Sequence, residues 1–407
     1  MNNNQPINKK LLLFIHGLGG SPDKTWGDFK KLIEQDEELN PIFDVDFYGY
    51  NTGFLHIPIF DKYPRIQTLA DGLSTKIETD FNKFQSIILV CHSLGGLIAK
   101  RYLVDTKVNK DRHRINGILF FSVPNNGNDL AKLAGNIPFT NIQIHQISTD
   151  SDFIYDLEKY WHRFELENEI TTKYIIAIDD KVVEENSGSG GWDKPDVIMN
   201  RGHIDIIKPT SHKEQSFTIL KRFALSTDNY QHKHNPITKK DRLNKLLKLS
   251  KIIYNQARLS FSENQNTLFP FLQDSTKRNL VYKKIFELSR KQKNSGTFGK
   301  WKGILTKIRE EESNNNEEVT DNNTVFFTVN SLLDIVERLY QSFYEERQHS
   351  PENPHTKISV AYALDKKNGF NDIQASEVAN SYLNSLSHSV DKLAENIGKM
   401  EVMLEKY

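Results

Sequence analysis

Cysteine is almost absent from this sequence, since Cys91 is the one cysteine in 407 residues. A single thiol excludes an intramolecular disulfide and fits a reducing compartment, so we expect a cytoplasmic protein. An excess of charge of either sign is also absent, because 53 Lys and Arg residues balance 53 Asp and Glu residues. This balance provides no general attraction to nucleic-acid phosphates, so no nucleic-acid partner is expected.

Long apolar runs are missing as well. No stretch approaches the roughly 20 apolar residues of a membrane span, so the sequence predicts no transmembrane helix. Residues 1–6 contain no apolar segment of the kind that forms the core of a secretory signal. Metal-ligand clusters are lacking too, because His203 and Asp205 form a short pair without further ligands at suitable spacing. We therefore predict no metal site.

The clearest positive signal lies in residues 86–103. The apolar run Ile87 to Val90 is short and rich in branched residues, which predicts a buried strand of a parallel sheet. An amphipathic helix follows, and Cys91-His92-Ser93-Leu94-Gly95 lies between them. This is a G-x-S-x-G nucleophile elbow with Cys at the first Gly. In that turn the serine hydroxyl and the first helix amides face one point, so Ser93 is the predicted nucleophile.

A second buried strand, residues 11–15, ends in the glycine-rich turn His16-Gly17-Leu18-Gly19-Gly20. Such a loop lets backbone amides approach a reacting group, so we predict an oxyanion hole formed by the amides of Leu18 and Leu94. The alternative is a phosphate loop, which is disfavoured because neither G-x-x-x-x-G-K-[ST] nor G-x-G-x-x-G occurs. His16 is predicted to orient the loop, since a better candidate base follows later in the chain.

A serine nucleophile needs an imidazole base, and the imidazole needs a carboxylate that fixes its tautomer. Residues 173–183 predict the next strand, which carries Asp179 and Asp180 at its end, and His203 follows a short strand. Ser93, Asp180 and His203 then occur in the chain order of the α/β-hydrolase fold. Asp180 is preferred to Asp179 because it lies one residue further beyond the apolar run. Taken singly, His203 also fits a surface loop histidine, and the Asp pair also fits a solvated turn. Their combination with the elbow and the glycine-rich loop favours a triad.

These motifs resemble the lipase/esterase branch of the α/β hydrolases that includes the serine-active-site and GPI-deacylase-like proteins. The likeness covers about residues 10–222 and is carried by residues 14–20, 90–97, 122–127, 180–183 and 203–209. It implies an α/β-hydrolase fold with a mostly parallel sheet, acyl chemistry often on lipids, and neither metal nor organic cofactor. By position it makes Ser93 the nucleophile, Asp180 the acid and His203 the base. The sequence departs from the family at Asn125, where members usually have His, and in lacking the membrane spans of GPI deacylases.

The pattern changes near residue 225, which predicts a second, all-α domain. We expect a catalytic domain at 1–225, a polar linker at 226–238 and a helical domain at 239–407. Its last helix, residues 374–407, has apolar residues that alternate steps of four and three, as in a heptad seam. The seam residues are Ala379, Leu383, Leu386, Val390, Leu393, Ile397, Met400 and Leu404.

Several roles of the helical domain remain open. Residues 239–259 predict an amphipathic helix whose basic face suits either an anionic membrane surface or solvent. The heptad helix suits self-association, a protein partner or packing inside its own domain. Residues 312–323 are acidic and Asn-rich, which predicts a disordered loop.

The sequence as a whole predicts an enzyme that cleaves a carboxylic ester through a covalent acyl-enzyme, with a lipid or acylated compound as substrate. The helical domain is expected to serve regulation or assembly. One alternative is an acyltransferase, which uses the same triad but excludes water. The other is a hydrolase fold without catalysis that binds a ligand or a protein.

Overall fold

The computed structural model of this protein describes parts of both halves of the chain. The described residues are 9–22, 24–50, 65–126, 151–188, 195–228, 240, 243–255, 258, 295–314, 321–344, 387–388, 391, 393–402 and 404–405. By their contacts the residues divide into two compact units. The first comprises 1–234 and 295–300, and the second comprises 235–294 and 301–407. The domain bounds expected from the sequence remain predictions.

One sheet of six strands lies at the centre of the first unit. Its strands are β1 (Lys10–Ile15), β2 (Phe43–Tyr48), β3 (Ile87–His92), β4 (Ile115–Phe121), β5 (Thr171–Ala177) and β6 (Asp196–Ile198). Their order across the sheet is β2-β1-β3-β4-β5-β6, and all five pairings are parallel. The carboxyl ends of the strands therefore share one edge, where ligands of open parallel sheets bind.

Helices cover both faces of this sheet. They are α1 (Phe29–Gln35), α2 (Ile66–Thr79), α3 (Leu94–Val108), α4 (Ser151–Arg163), α5 (Leu166–Glu169), α6 (Glu185–Gly188) and α7 (Gln215–Asp228). Successive residues of a strand face opposite sides. Leu11 and Leu13 accordingly lie in the core with α2, α3 and α4, whereas Leu12 and Phe14 lie in the core with α1 and α7. Burial on both faces explains why these strands are apolar at consecutive positions.

The parallel sheet, its two helical layers and the unit of strand β3, turn and helix α3 are those of the α/β-hydrolase fold, which confirms the predicted fold class. Two further long helices are α8 (Ser295–Asn314) and α9 (Asp321–Tyr344). Every described residue with regular structure from 240 onward is helical. Among the described helices, none combines the length and the hydropathy needed to cross a bilayer.

Parts of the predicted linker, acidic loop and heptad helix lie outside the described residues. Helix α7 continues through residue 228, and 229–238 of the linker are not described. Residues 312–314 are the end of α8 and 321–323 the start of α9, with 315–320 outside the described residues. Of the predicted heptad helix, 374–386 are not described either.

The described part of the heptad seam packs inside the second unit. Leu393 and Met400 are fully buried. The Ser250 hydroxyl lies 4.0 Å from the Met400 sulfur, and Lys251 forms an ion pair with Glu401 at 2.9 Å. The seam thus contacts the helical residues 243–255.

Close passage of β1 and α3 shapes the elbow between them. A Cβ atom added at Gly95 would lie 2.3 Å from the carbonyl oxygen of Ile15 and 2.6 Å from that of His16. A Cβ at Gly96 would lie 2.3 Å from Cγ2 of Val123. Carbon atoms prefer about 3.5–4.0 Å between non-bonded neighbours. Only glycine therefore fits at these positions without a shift of the surrounding chain.

We expect Gly95→Ala to lower the free energy of unfolding by about 1–3 kcal/mol, the usual cost of overpacking, because the added methyl group meets backbone atoms of β1. Gly398→Ala is the matched control, since no described atom lies within 4 Å of its Cβ position. Alanine at that helical position should stabilise by up to about 1 kcal/mol. Urea unfolding of both variants measures the difference, and equal effects would contradict the packing argument.

Candidate active site

Ser93 forms the tip of the turn between β3 and α3. Its backbone has φ 51° and ψ −124°, which non-glycine residues rarely adopt. The Ser93 N–H donates to the Phe121 carbonyl at 3.0 Å, and the Ser93 carbonyl accepts from the Gly96 N–H at 3.0 Å. These two bonds hold the turn at the N-terminus of α3. The Ser93 hydroxyl oxygen is buried and makes no hydrogen bond with the residues that the structure describes.

Asp180 and His203 are paired. Nδ1–H of His203 donates to Oδ2 of Asp180 at 2.9 Å, while Oδ1 accepts the N–H groups of Val182 and Val183 at 2.8 and 2.9 Å. Burial would raise the pKa of the Asp180 carboxyl, but the hydrogen bond and charge of His203 and the Val183 N–H hold that pKa below its usual value. An ionised Asp180 keeps the proton of His203 on Nδ1 and leaves Nε2 as the basic nitrogen. That Nε2 is buried and has no partner among the described residues.

The alternative acid lies elsewhere. Asp179 is exposed, and its N–H donates to the Arg201 carbonyl at 3.2 Å. The structure therefore brings Asp180 together with His203, whereas it leaves Asp179 at the surface.

Sequence reasoning missed Ser122, which lies one residue beyond β4. Ser122 is fully buried and has φ 45°. Its hydroxyl approaches Asp180 without reaching hydrogen-bond geometry, and it contributes to the low pKa of that carboxyl. A serine after an apolar strand is too common a pattern to have revealed this contact.

Sequence reasoning also gave no role to His92, although it stands inside the elbow motif. Nε2–H of His92 donates to the main-chain carbonyl of His203 at 2.8 Å, and the two rings lie 4.8 Å apart. Burial, together with the nearby charge of His203, lowers the pKa of His92 to about 3. His92 is therefore neutral near pH 7 and anchors the loop that carries His203.

The glycine-rich loop reaches the serine directly. A Cβ at Gly17 would lie 2.8 Å from Cβ of Ser93 and 3.1 Å from Nδ1 of His92. Leu18 follows Gly17, and Leu94 is the first residue of α3, so both predicted oxyanion donors lie next to residues at the serine. Their role in catalysis remains a prediction.

His16 contacts the loop and its neighbours. Its ring stacks on Tyr50 at 4.2 Å, Nδ1 lies 2.8 Å from the Gly17 carbonyl oxygen, and the Tyr50 hydroxyl donates to the His16 carbonyl. Burial lowers the pKa of His16. Within the described residues, no group of three or more His, Cys, Asp and Glu side chains is arranged to hold a metal ion.

Comparison with known proteins gives distant similarities. No family model matches the chain. Protein SERAC1 of Danio rerio is 25% identical, with 38% of this chain and 28% of that protein covered; this chain thus spans well under half of that relative. Among solved structures, this chain resembles one described as LipS and LipT, two metagenome-derived lipolytic enzymes. The identity is 14% and the TM-score 0.39, and the match covers 55% of this chain and 94% of that chain. The Bacillus licheniformis lipase BlEst2 in its mature form gives 18% identity and a TM-score of 0.35, covering 54% and 92%.

We expect His92→Gln to make stability less dependent on pH below 6.5. In the wild type the unfolded chain binds a proton at His92 that the folded protein excludes until about pH 3, so folding stability falls as the pH decreases through this range. The loss is up to about 1.4 kcal/mol per pH unit. Glutamine cannot take up this proton, and it retains a donor for the His203 carbonyl.

Urea unfolding of both proteins across this pH range, followed by tryptophan fluorescence, measures the two slopes. Parallel curves for wild type and variant would contradict the exclusion of a proton from His92.

Proposed function

We propose that this chain is a serine hydrolase that cleaves carboxylic esters with Ser93 as nucleophile, His203 as base and Asp180 as acid. The observation that carries the proposal is the hydrogen bond between His203 and the buried carboxylate of Asp180, in a fold whose elbow presents Ser93. Among serine hydrolases, this order of residues and this orientation of the imidazole support acyl transfer. The α/β-hydrolase fold itself is compatible with many activities, so the proposal depends on the site.

The proposed reaction has two halves. Nε2 of His203 accepts the Ser93 proton while Oγ bonds to the ester carbonyl carbon, and the carbonyl π pair moves to its oxygen, which the Leu18 and Leu94 amides stabilise. The bond to the leaving alkoxide then breaks, and the alkoxide takes the proton from His203. Water next gives a proton to His203 and attacks the acyl carbon. The carbonyl then re-forms as the bond between the acyl carbon and Oγ of Ser93 breaks, the carboxylic acid product leaves, and Oγ takes the proton back from Nε2 of His203.

Exposed apolar side chains near the base support an apolar acyl group, such as that of a lipid, as the substrate. Ile204, directly after His203, is 56% exposed, and Ile178 and Met199 are 48% and 57% exposed. Ile178 donates its N–H to the carbonyl of Ile198 at 2.9 Å, so Ile178 and Met199 directly follow the neighbouring strands β5 and β6, ahead of Asp180 and His203. Contiguous exposed apolar surface marks contacts with apolar ligands, and we propose that these three side chains contribute to such a surface.

The test is covalent labelling of the full chain by a fluorophosphonate probe. We expect labelling of the wild type and none of Ser93→Ala, because the phosphonyl group bonds to the Ser93 oxygen. His203→Ala should label at a background rate, since the proton of Ser93 then has no acceptor. Labelling that survives in Ser93→Ala, or an unreactive wild type, would refute the proposal. An unreactive wild type would favour the alternative of a hydrolase fold that binds a ligand or a protein without catalysis.

A matched pair of variants tests the acid. We expect Asp180→Asn to lower kcat for a soluble ester by about 10⁴-fold, because the amide stabilises the wrong tautomer of His203. Asp179→Asn makes the same chemical change one residue earlier at an exposed position and should leave kcat within about twofold. Equal losses in the two variants would remove Asp180 from the triad.

A further inference from the structure

Asn125 connects the nucleophile side of the site with the acid side. Its amide oxygen accepts a hydrogen bond from Nζ of Lys100 at 2.8 Å, and Lys100 lies on α3, the helix that begins at the elbow. Its amide nitrogen donates to the Ser187 carbonyl at 2.8 Å, in α6, which follows Asp180 along the chain. Asn125 is 1% exposed, so this side chain has no water to replace either partner.

Lys100 is a fixed anchor for this contact. It is fully buried, and its ammonium group bonds to the buried Glu158 of α4 at 2.6 Å. The rings of Phe120 and Trp161 lie 5.4 and 5.2 Å from that ammonium group. A buried charge with a carboxylate, an amide and aromatic faces around it cannot change position without losing these partners. Asn125 is therefore joined to a rigid part of α3.

The first residues of α8 press on the turn that contains Asn125. A Cβ at Gly296 would lie 1.9 Å from the Asn125 carbonyl oxygen, and a Cβ at Gly299 would lie 2.1 Å from the Tyr155 carbonyl oxygen. Both distances require glycine, so the helix backbone lies directly against these two carbonyl groups. The Thr297 hydroxyl also donates to the side-chain oxygen of Asn126 at 3.0 Å.

This contact is part of the first unit, although it comes from much later in the chain. Residues 295–300 belong to the first unit by their contacts, whereas α8 from 301 onward belongs to the second. Phe298 and Lys300 are 2% and 3% exposed. Burial would raise the pKa of Glu167, but the nearby charges of His162 and then Lys300 contribute to lowering that pKa to about 2.

We propose that residues 295–300 are a positioning element of the active site, which holds Asn125 and through it fixes α3 and the segment after Asp180. This inference rests on the proposed hydrolase function. Asn125 is a positioning residue, because it contacts neither Ser93 nor His203 in the described hydrogen bonds and acts through Lys100 and Ser187. Residues 235–294, which separate residues 295–300 from the rest of the first unit along the chain, belong to the second unit.

The test uses full-chain variants. Gly299→Val should displace residues 295–300, because the side chain would meet the Tyr155 backbone. Asn125→Asp should replace a donor by an oxygen that faces the Ser187 carbonyl, while Lys100 keeps its partner. Gly398→Val is the matched control, with no described atom within 4 Å of its Cβ position. The measurements are the rate of Ser93 modification by a fluorophosphonate, kcat and KM for a soluble ester, and amide hydrogen exchange.

We expect Gly299→Val and Asn125→Asp to slow Ser93 modification and to lower kcat by about 10- to 100-fold, the effect of a small misplacement of reacting groups. KM should change little, and the control should match the wild type. Hydrogen exchange should accelerate in residues 122–126 and 180–188. If Gly299→Val does not fold, Thr297→Val replaces it, because it removes only the bond to Asn126 and should lower kcat by several-fold.

Gly299→Val could fold, show accelerated exchange and still react with the probe and turn over ester at wild-type rates. This result would overturn the inference and leave the hydrolase function intact. A wild type that never reacts with the probe would refute the hydrolase function instead. In that case hydrogen exchange still tests whether residues 295–300 hold the segment after Asp180 in place. Unchanged exchange in residues 180–188 of both variants would overturn this positioning role.

Discussion

The close approach of the end of β1 to the start of α3 is the constraint on which the candidate site depends. Because Gly95 lies against the Ile15 and His16 carbonyls, the glycine-rich loop after β1 is brought to the elbow. The same approach places Gly17 against Ser93. The positive φ of Ser93 is maintained by this packing and by two backbone hydrogen bonds, as expected for a strained residue that the surrounding structure over-determines.

Burial and hydrogen bonds determine the electrostatics around His203. The Asp180 carboxylate is charged because two N–H groups and His203 offset its desolvation. His92 stays neutral near pH 7, so it donates a hydrogen bond to the His203 backbone without adding a positive charge beside that ring. Asp180 thus supplies a negative charge beside the imidazole, whereas His92 supplies only a hydrogen-bond donor.

Support for the elbow extends well beyond the motif. Lys100, two turns into α3, is held by Glu158 and Asn125, and Asn125 in turn contacts α6 and the beginning of α8. The first unit includes residues 295–300, and the chain continues from there into the second unit through α8.

The sequence by itself determined the parallel sheet, the elbow at Ser93 and the fold class, because each depends on short-range patterns: apolar runs, glycines and the strand–turn–helix context. Only the tertiary structure decided between Asp179 and Asp180 as the hydrogen-bond partner of His203, since these neighbours in the turn after β5 are an exposed and a buried carboxylate. It alone also showed the contacts of His92 with His203 and of Ser122 with Asp180, and it brought residues 295–300 to Asn125. Contacts between distant segments depend on how the helices and loops pack, and no local pattern encodes that packing.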